Sequence, residues 1–118
     1  MSVRPRRNPE IVWRLEKGMR EIAWEKANKG EEYEDLGVLT LVVGGAIQQL
    51  NLVGAEIWTR INSVNTVEKI TAEIAPLFQV DPGEMQADVL EFLKDIEEKG
   101  WVMLSSRSGH AAPGWSAK

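Results

Sequence analysis

The chain of 118 residues carries one histidine and no cysteine, which narrows the chemistry open to it. Without thiols it can form no disulfide, thiolate metal site, iron–sulfur cluster or cysteine nucleophile. His110 follows Gly109 in a small, polar C-terminal stretch, a poor place for the base that nucleophilic catalysis needs. One imidazole leaves a metal ion only scattered carboxylates. Glu31-Glu32 and Glu97-Glu98 sit in hydrophilic runs, with no apolar pocket to raise a carboxyl pKa for acid–base work. The run Glu31, Glu32, Glu34 and Asp35 lacks the alternation of a calcium loop. Gly44-Gly45 is followed by neither a lysine nor a helix start, so it is no phosphate loop. Five tryptophans could build a platform for a sugar or base, but Trp13, Trp24 and Trp58 fall on core-facing positions. Trp101 follows a helix stop, where it packs, and Trp115 belongs to the tail. These residues lead us to expect a protein that is not an enzyme, with no cofactor and no metal.

Charge and hydropathy narrow the partners. Fourteen basic against eighteen acidic residues give a net charge of −4, the wrong sign for gripping phosphates or an anionic membrane surface. The longest nearly apolar stretch, residues 38–47, contains Thr40 and the Gly-Gly pair and falls far short of the ~20 residues that cross a bilayer. Residues 1–9 carry Arg4, Arg6 and Arg7 but no apolar core of a secretory signal. We therefore expect a cytoplasmic protein that binds neither nucleic acid nor membrane. One domain is expected over residues 11–104, between a disordered basic arm (1–10) and a disordered tail (105–118).

The elements follow from periodicity and punctuation. Residues 11–16 and 20–25 each show alternation, with Ile11, Trp13 and Leu15 on one face of the first and Ile22 with Trp24 on one face of the second; both are expected as strands. Residues 26–35 form a solvated acidic loop. Residues 38–43 and 46–50 flank Gly44-Gly45, the signature of a two-residue hairpin. That turn sets Val43 opposite Ala46, Leu41 opposite Gln48 and Leu39 opposite Leu50 as the core face, with Val38, Thr40, Val42, Ile47 and Gln49 on the other. Three helices come next. Asn51 caps the first, with Val53, Ile57, Trp58 and Ile61 at helical spacing. Thr66 caps the second, with Val67, Ile70, Ile74, Leu77 and Phe78 as its stripe and Pro76 kinking or ending it. The third opens on Asp81-Pro82 with Glu84 completing a capping box, and Gly100 stops it. Residues 101–104 close the domain as a short strand. On the third helix Phe92, Met85, Ile96, Val89 and Leu93 share an apolar arc about 100° wide. Leu90 lies outside that arc, beyond Leu93 and Gln86. The fold class is α+β and winged-helix-like, an N-terminal antiparallel three-stranded sheet packed on a three-helix bundle.

Leu50-Asn51, Gly54 and Ile57, then Thr66-Val67-Glu68-Lys69-Ile70, then Asp88-Val89-Leu90-Glu91-Phe92-Leu93 and Lys99-Gly100-Trp101-Val102 carry a resemblance. Over residues 36–104 this ordered set resembles the PqqD family of peptide chaperones, the recognition elements of ribosomal peptide modification. The resemblance implies that the leader of a ribosomally made precursor peptide binds as an added strand beside the hairpin's second strand. It implies, too, that the bound leader is presented to a modifying enzyme, in PQQ biosynthesis a radical SAM protein that cross-links glutamate and tyrosine. The peptide-binding residues would then be Ala46, Ile47, Gln48, Gln49 and Leu50 on the strand edge, with Gln86, Leu90 and Leu93 on the opposite wall. On this reading Gln48→Pro removes an edge N–H. Two alternatives remain: a winged-helix DNA-binding regulator, opposed by the acidic third helix, and a module in which the strand edge pairs with a second copy. The chain is expected as a monomer or a homodimer.

Overall fold

The computed structural model describes residues 3–104; the tail expected at 105–118, with His110 and Trp115, lies outside the described residues. In chain order the elements are β1 (Arg6–Arg7), β2 (Val12–Leu15), α1 (Lys17–Asn28), β3 (Leu39–Val43), β4 (Ala46–Leu50), α2 (Leu52–Trp58), α3 (Val67–Phe78), α4 (Pro82–Glu98) and β5 (Val102–Met103). This is the expected α+β class, with a three-stranded antiparallel sheet, but with four helices instead of three. The elements fall into two compact units, residues 10–58 and residues 3–9 with 59–104.

In residues 10–58 the sheet order is β2-β3-β4, all antiparallel. The hairpin has the expected register, Val43 opposite Ala46, Leu41 opposite Gln48 and Leu39 opposite Leu50. Gly44 and Gly45 have φ of 55° and 83°, the pair of positive values that a type I′ turn requires and that side chains resist. Leu39, Leu41 and Leu50 are buried as expected, whereas Ala46 and Gln48 are exposed. Val38 departs from the expected alternation: it is fully buried beside Leu39. Its N–H donates to the Leu50 carbonyl at 2.8 Å while Leu39 is the residue opposite Leu50, so two residues face one and the chain bulges, turning both side chains inward.

The segment expected as a second strand, residues 20–25, is instead the middle of α1. Ile22 and Trp24 satisfy a period of two, but Arg20, Ala23, Trp24 and Ala27 equally satisfy the helical spacing. Lys17, Met19, Arg20, Ala23, Glu25 and Lys26 are helix formers, and Ile22 is the sole β-branched residue in the segment. Ala23 is fully buried and Ile22 lies out on the exposed side. Trp24 is half-buried, with its indole N–H donating to Glu56 Oε2 at 2.9 Å. Arg20, one helical turn earlier, donates Nε to Glu56 Oε2 at 2.7 Å and Nη2 to Oε1 at 3.2 Å. Glu56 belongs to α2 and is 1% exposed, so its charge is held by a forked guanidinium and an indole instead of water. Hydrogen bonding to Glu56 raises the Arg20 pKa, against the opposing effect of burial. Asn51 caps α2 by accepting from the Gly54 N–H at 3.0 Å, and Trp58 at the far end meets Trp13 of β2 edge-to-face, centroids 6.3 Å apart.

In the other unit α3 and α4 keep their expected caps. Thr66 Oγ1 accepts from the Lys69 N–H at 3.1 Å, and Asp81 Oδ2 accepts from the N–H groups of Gly83 and Glu84. Pro76 neither ends α3 nor shortens it; the helix runs on to Phe78 and stops where Gln79 turns left-handed. Leu77, expected in the buried stripe, is exposed, and Ala75 takes its place. Gly100, with φ of 79°, ends α4 in a Schellman arrangement, Trp101 N–H to the Ile96 carbonyl and Gly100 N–H to the Glu97 carbonyl.

The basic arm is the clearest correction in this unit. Residues 3–10, expected to be disordered, are ordered, and Arg6 and Arg7 form β1 opposite Met103 and Val102 of β5. The Pro5 carbonyl accepts from the Ser63 N–H and the Val3 carbonyl from the Val67 N–H, a donor left open at the start of α3. Arginine and proline discourage burial of side chains, but a backbone ladder asks only for a partner strand.

The charge of Glu56 has no water to fall back on, so Arg20→Ala is expected to destabilise the chain by about 3 kcal/mol in urea denaturation. The double variant Arg20→Leu/Glu56→Leu should lie closer to wild type than Arg20→Ala does, because it removes the stranded charge along with its partner.

Candidate functional site

The type I′ turn decides which backbone groups of β4 are spoken for. Its closing pair, Val43 and Ala46, exchanges hydrogen bonds, and in an antiparallel ladder bonded and non-bonded pairs alternate. Ala46, Gln48 and Leu50 therefore turn their N–H and C=O groups towards β3. The Leu50 carbonyl shows this orientation directly by accepting from Val38 across the hairpin. Ile47 and Gln49 turn theirs the other way, to the outer side of β4, where no strand pairs among the described residues. The expectation that Gln48 supplies an edge N–H is thus off by one residue. The hairpin register is readable from the sequence, whereas the outward set on β4 also depends on the turn type that closes it.

The side chains of this edge are largely open to solvent. Ala46, Ile47, Gln48 and Gln49 are exposed, while Leu50 is buried in the core. Of the residues expected on the helical wall, Leu90 is 40% exposed, Gln86 is half-buried and Leu93 is fully buried. Gln86 and Leu90 lie one helical turn apart on the same side of α4. The two sets belong to different units, and each is continuous within its own.

On the outer face of the sheet the polar side chains form a chain of contacts. Gln49 Nε2 donates to Thr40 Oγ1 at 3.3 Å, Thr40 Oγ1 donates to Glu16 Oε2 at 2.9 Å, and Arg14 donates to the same oxygen through Nε and Nη2. The Thr40 hydrogen bond first, then Arg14, holds the Glu16 carboxyl below its ordinary value of 4.5. Gly37 leaves room for the Gln49 amide, into which a Cβ at that position would run. Apart from Gln49, none of these residues was singled out from the sequence as a site. The signal was present in the alternation of Arg14 with Trp13 and of Thr40 with Leu41, once the strands were set in register.

Among the described residues no three histidine, aspartate or glutamate side chains cluster as metal ligands, and no helix is long and apolar enough to cross a membrane. A cavity of about 510 Å³ lies along α1, with Leu15 and Trp24 among the side chains lining it and Lys17, Glu21 and Glu25 giving it both signs of charge. Arg20, which also lines it, is already committed to Glu56. What the unpaired side of β4 offers is two N–H donors and two carbonyl acceptors in extended geometry, the complement of another extended backbone. On α4 the exposed Asp88, Glu91 and Asp95 present negative charge, which opposes a duplex backbone.

Residues 36–102 match the family model described as coenzyme PQQ synthesis protein D (PqqD). Among solved structures, the chain is similar to the PqqD truncation of Methylobacterium extorquens PqqCD, solved in solution by NMR. The two are 17% identical, the match covers 86% of this chain and 88% of that one, and the TM-score is 0.58, a likeness of fold. That truncation is described as a functional, stand-alone recognition element for ribosomally synthesised and post-translationally modified peptides. No curated protein matches the sequence.

Proline substitution separates the two sides of β4. Gln49→Pro removes an outward N–H and is expected to keep the wild-type circular dichroism spectrum and a nearly unchanged melting temperature. Gln48→Pro takes a bond out of the β3–β4 ladder and should lower stability by about 3 kcal/mol or more. Equal effects at the two positions would contradict the assigned parity.

Proposed function

The chain belongs to the PqqD family, and from that membership together with the open side of β4 we propose that it binds the leader of a ribosomally made precursor peptide. The leader pairs with β4 as a fourth strand, through the N–H and C=O groups of Ile47 and Gln49. Those backbone bonds supply affinity that tolerates changes of sequence, and side chains on either face of the added strand supply register. Ala46, Gln48 and Leu50 flank the ligand on the strand side. The protein acts without catalysis of its own, in the cytoplasm where such peptides are made. It hands the bound leader to a modifying enzyme of the radical SAM type, as in PQQ biosynthesis. The observation that carries this reading is a strand edge of exposed residues whose outward backbone groups pair with no strand among the described residues.

A pull-down of the tagged full chain from its own cells, with peptides identified by mass spectrometry, supplies the ligand. Fluorescence anisotropy with the recovered leader, made synthetically, then measures its affinity. Gln49→Pro is expected to weaken binding about tenfold or more while circular dichroism stays unchanged, since one lost hydrogen bond is worth about 1–2 kcal/mol. Wild-type affinity in that folded variant would refute the site. Recovery of a tight dimer with no peptide, seen by light scattering, would assign the edge to self-assembly.

A further inference from the structure

The outer face of the sheet carries a feature that the strand-addition reading does not use. Val12, Val42 and Ile47 are 68%, 41% and 72% exposed. The register sets Val12 opposite Val42 and Val42 opposite Ile47, so three β-branched side chains stand in one row across β2, β3 and β4. Single exposed apolar residues are ordinary on a surface, but these are in line, and the line runs straight to the open edge. A second row lies beside it, two residues along each strand: Arg14, Thr40 and Gln49, tied together through Glu16. It too ends at that edge, with Gln49 using one of its two amide N–H groups on Thr40.

We infer that these two rows select the sequence of the bound peptide. Resting on the strand-addition reading above, the inference is that the leader residue opposite Ile47 is β-branched or aromatic. The leader residue opposite Gln49, two positions away, is serine, threonine, asparagine or glutamine. An added strand places each residue's side chain on the same face as the residue it opposes, whether it runs parallel or antiparallel. A β-branched or aromatic residue beside Ile47 becomes the fourth member of the apolar row and covers the exposed end of it. A hydroxyl or amide beside Gln49 meets the donor and acceptor capacity that Thr40 leaves over. The spacing of two is fixed by the pleat, and the order of the two residues reports the direction in which the peptide lies. Ile47 and Gln49 are thereby specificity-determining residues that act on the alternate side chains of the ligand, those turned away from the core face of the sheet.

The test displays a random dodecapeptide library against the immobilised full chain and measures the winning peptides by fluorescence anisotropy. The wild-type protein is expected to enrich Val, Ile, Phe or Tyr with Ser, Thr, Asn or Gln two positions away. Ile47→Lys should shift the first of these to Asp or Glu and weaken the wild-type winner about fivefold, the upper range for one cross-strand pair. Gln49→Ala, which keeps its backbone N–H, should relax only the polar preference. An unchanged pattern and affinity in Ile47→Lys, with binding lost in Gln49→Pro but kept in Gln49→Ala, would overturn this inference and leave strand addition standing. Wild-type binding by Gln49→Pro would overturn both, and a library that converges on no pattern overturns the inference.

Discussion

A two-residue turn governs the functional geometry of this chain. Gly44 and Gly45 both adopt positive φ, and the type I′ turn they make fixes the partner of each β4 residue and also the direction of each of its hydrogen-bonding groups. Had Ala46 been drawn into a three-residue loop, Val43 would pair with Ile47 and the outward set would become Gln48 and Leu50. Ile47 and Gln49 would then lose their place at the edge, and the rows behind them would no longer lead to it. The exposed backbone and the exposed side chains therefore share one cause. Both follow from a stretch of two residues in which any side chain would be strained.

The rest of the unit formed by residues 10–58 keeps that hairpin fixed. Trp13 stacks edge-on against Trp58, joining β2 to α2. Glu56 on α2 gathers Arg20 and Trp24 of α1 around a buried carboxylate, a contact of high specificity because the alternative is an unpaired charge out of water. The Val38 bulge adds a second inward side chain where β3 begins, with the Val38 carbonyl accepting from Glu16. An edge strand that is to pair with a ligand must resist fraying when no ligand is present. Here the support comes from one side alone, and the other side pairs with no strand among the described residues.

Local chemistry was legible in the sequence, and non-local pairing was not. Asn51, Thr66 and Asp81 were readable as caps because a cap is a contact over two or three residues, and the hairpin register was readable because glycine pairs admit few turns. The helix α1 was misread because Ile22 and Trp24 satisfied a strand period and Arg20, Ala23 and Trp24 a helical one over the same few residues. What decides between them is Glu56, more than thirty residues later, and a glutamate on a short helix gives no sign that it will be buried. Strand β1 was hidden for a related reason, since its partner lies about ninety-five residues away and its own side chains argue for solvent. The open strand and Leu90 were singled out from pattern and resemblance. The outward role of Ile47 and Gln49 in place of Gln48 needed the turn type, and the two outer rows needed β2 set in register beside β3.

The most direct test is amide hydrogen exchange along β4, resolved residue by residue by NMR, on the full chain alone and then with its leader peptide. In the free protein the account predicts slow exchange at Gln48 and Leu50 and fast exchange at Ile47 and Gln49. On binding, Ile47 and Gln49 should become slow while Gln48 and Leu50 change little. Protection of Ile47 and Gln49 in the free monomer, or a bound peptide that leaves their exchange fast, would contradict the assignment of this edge as the binding site.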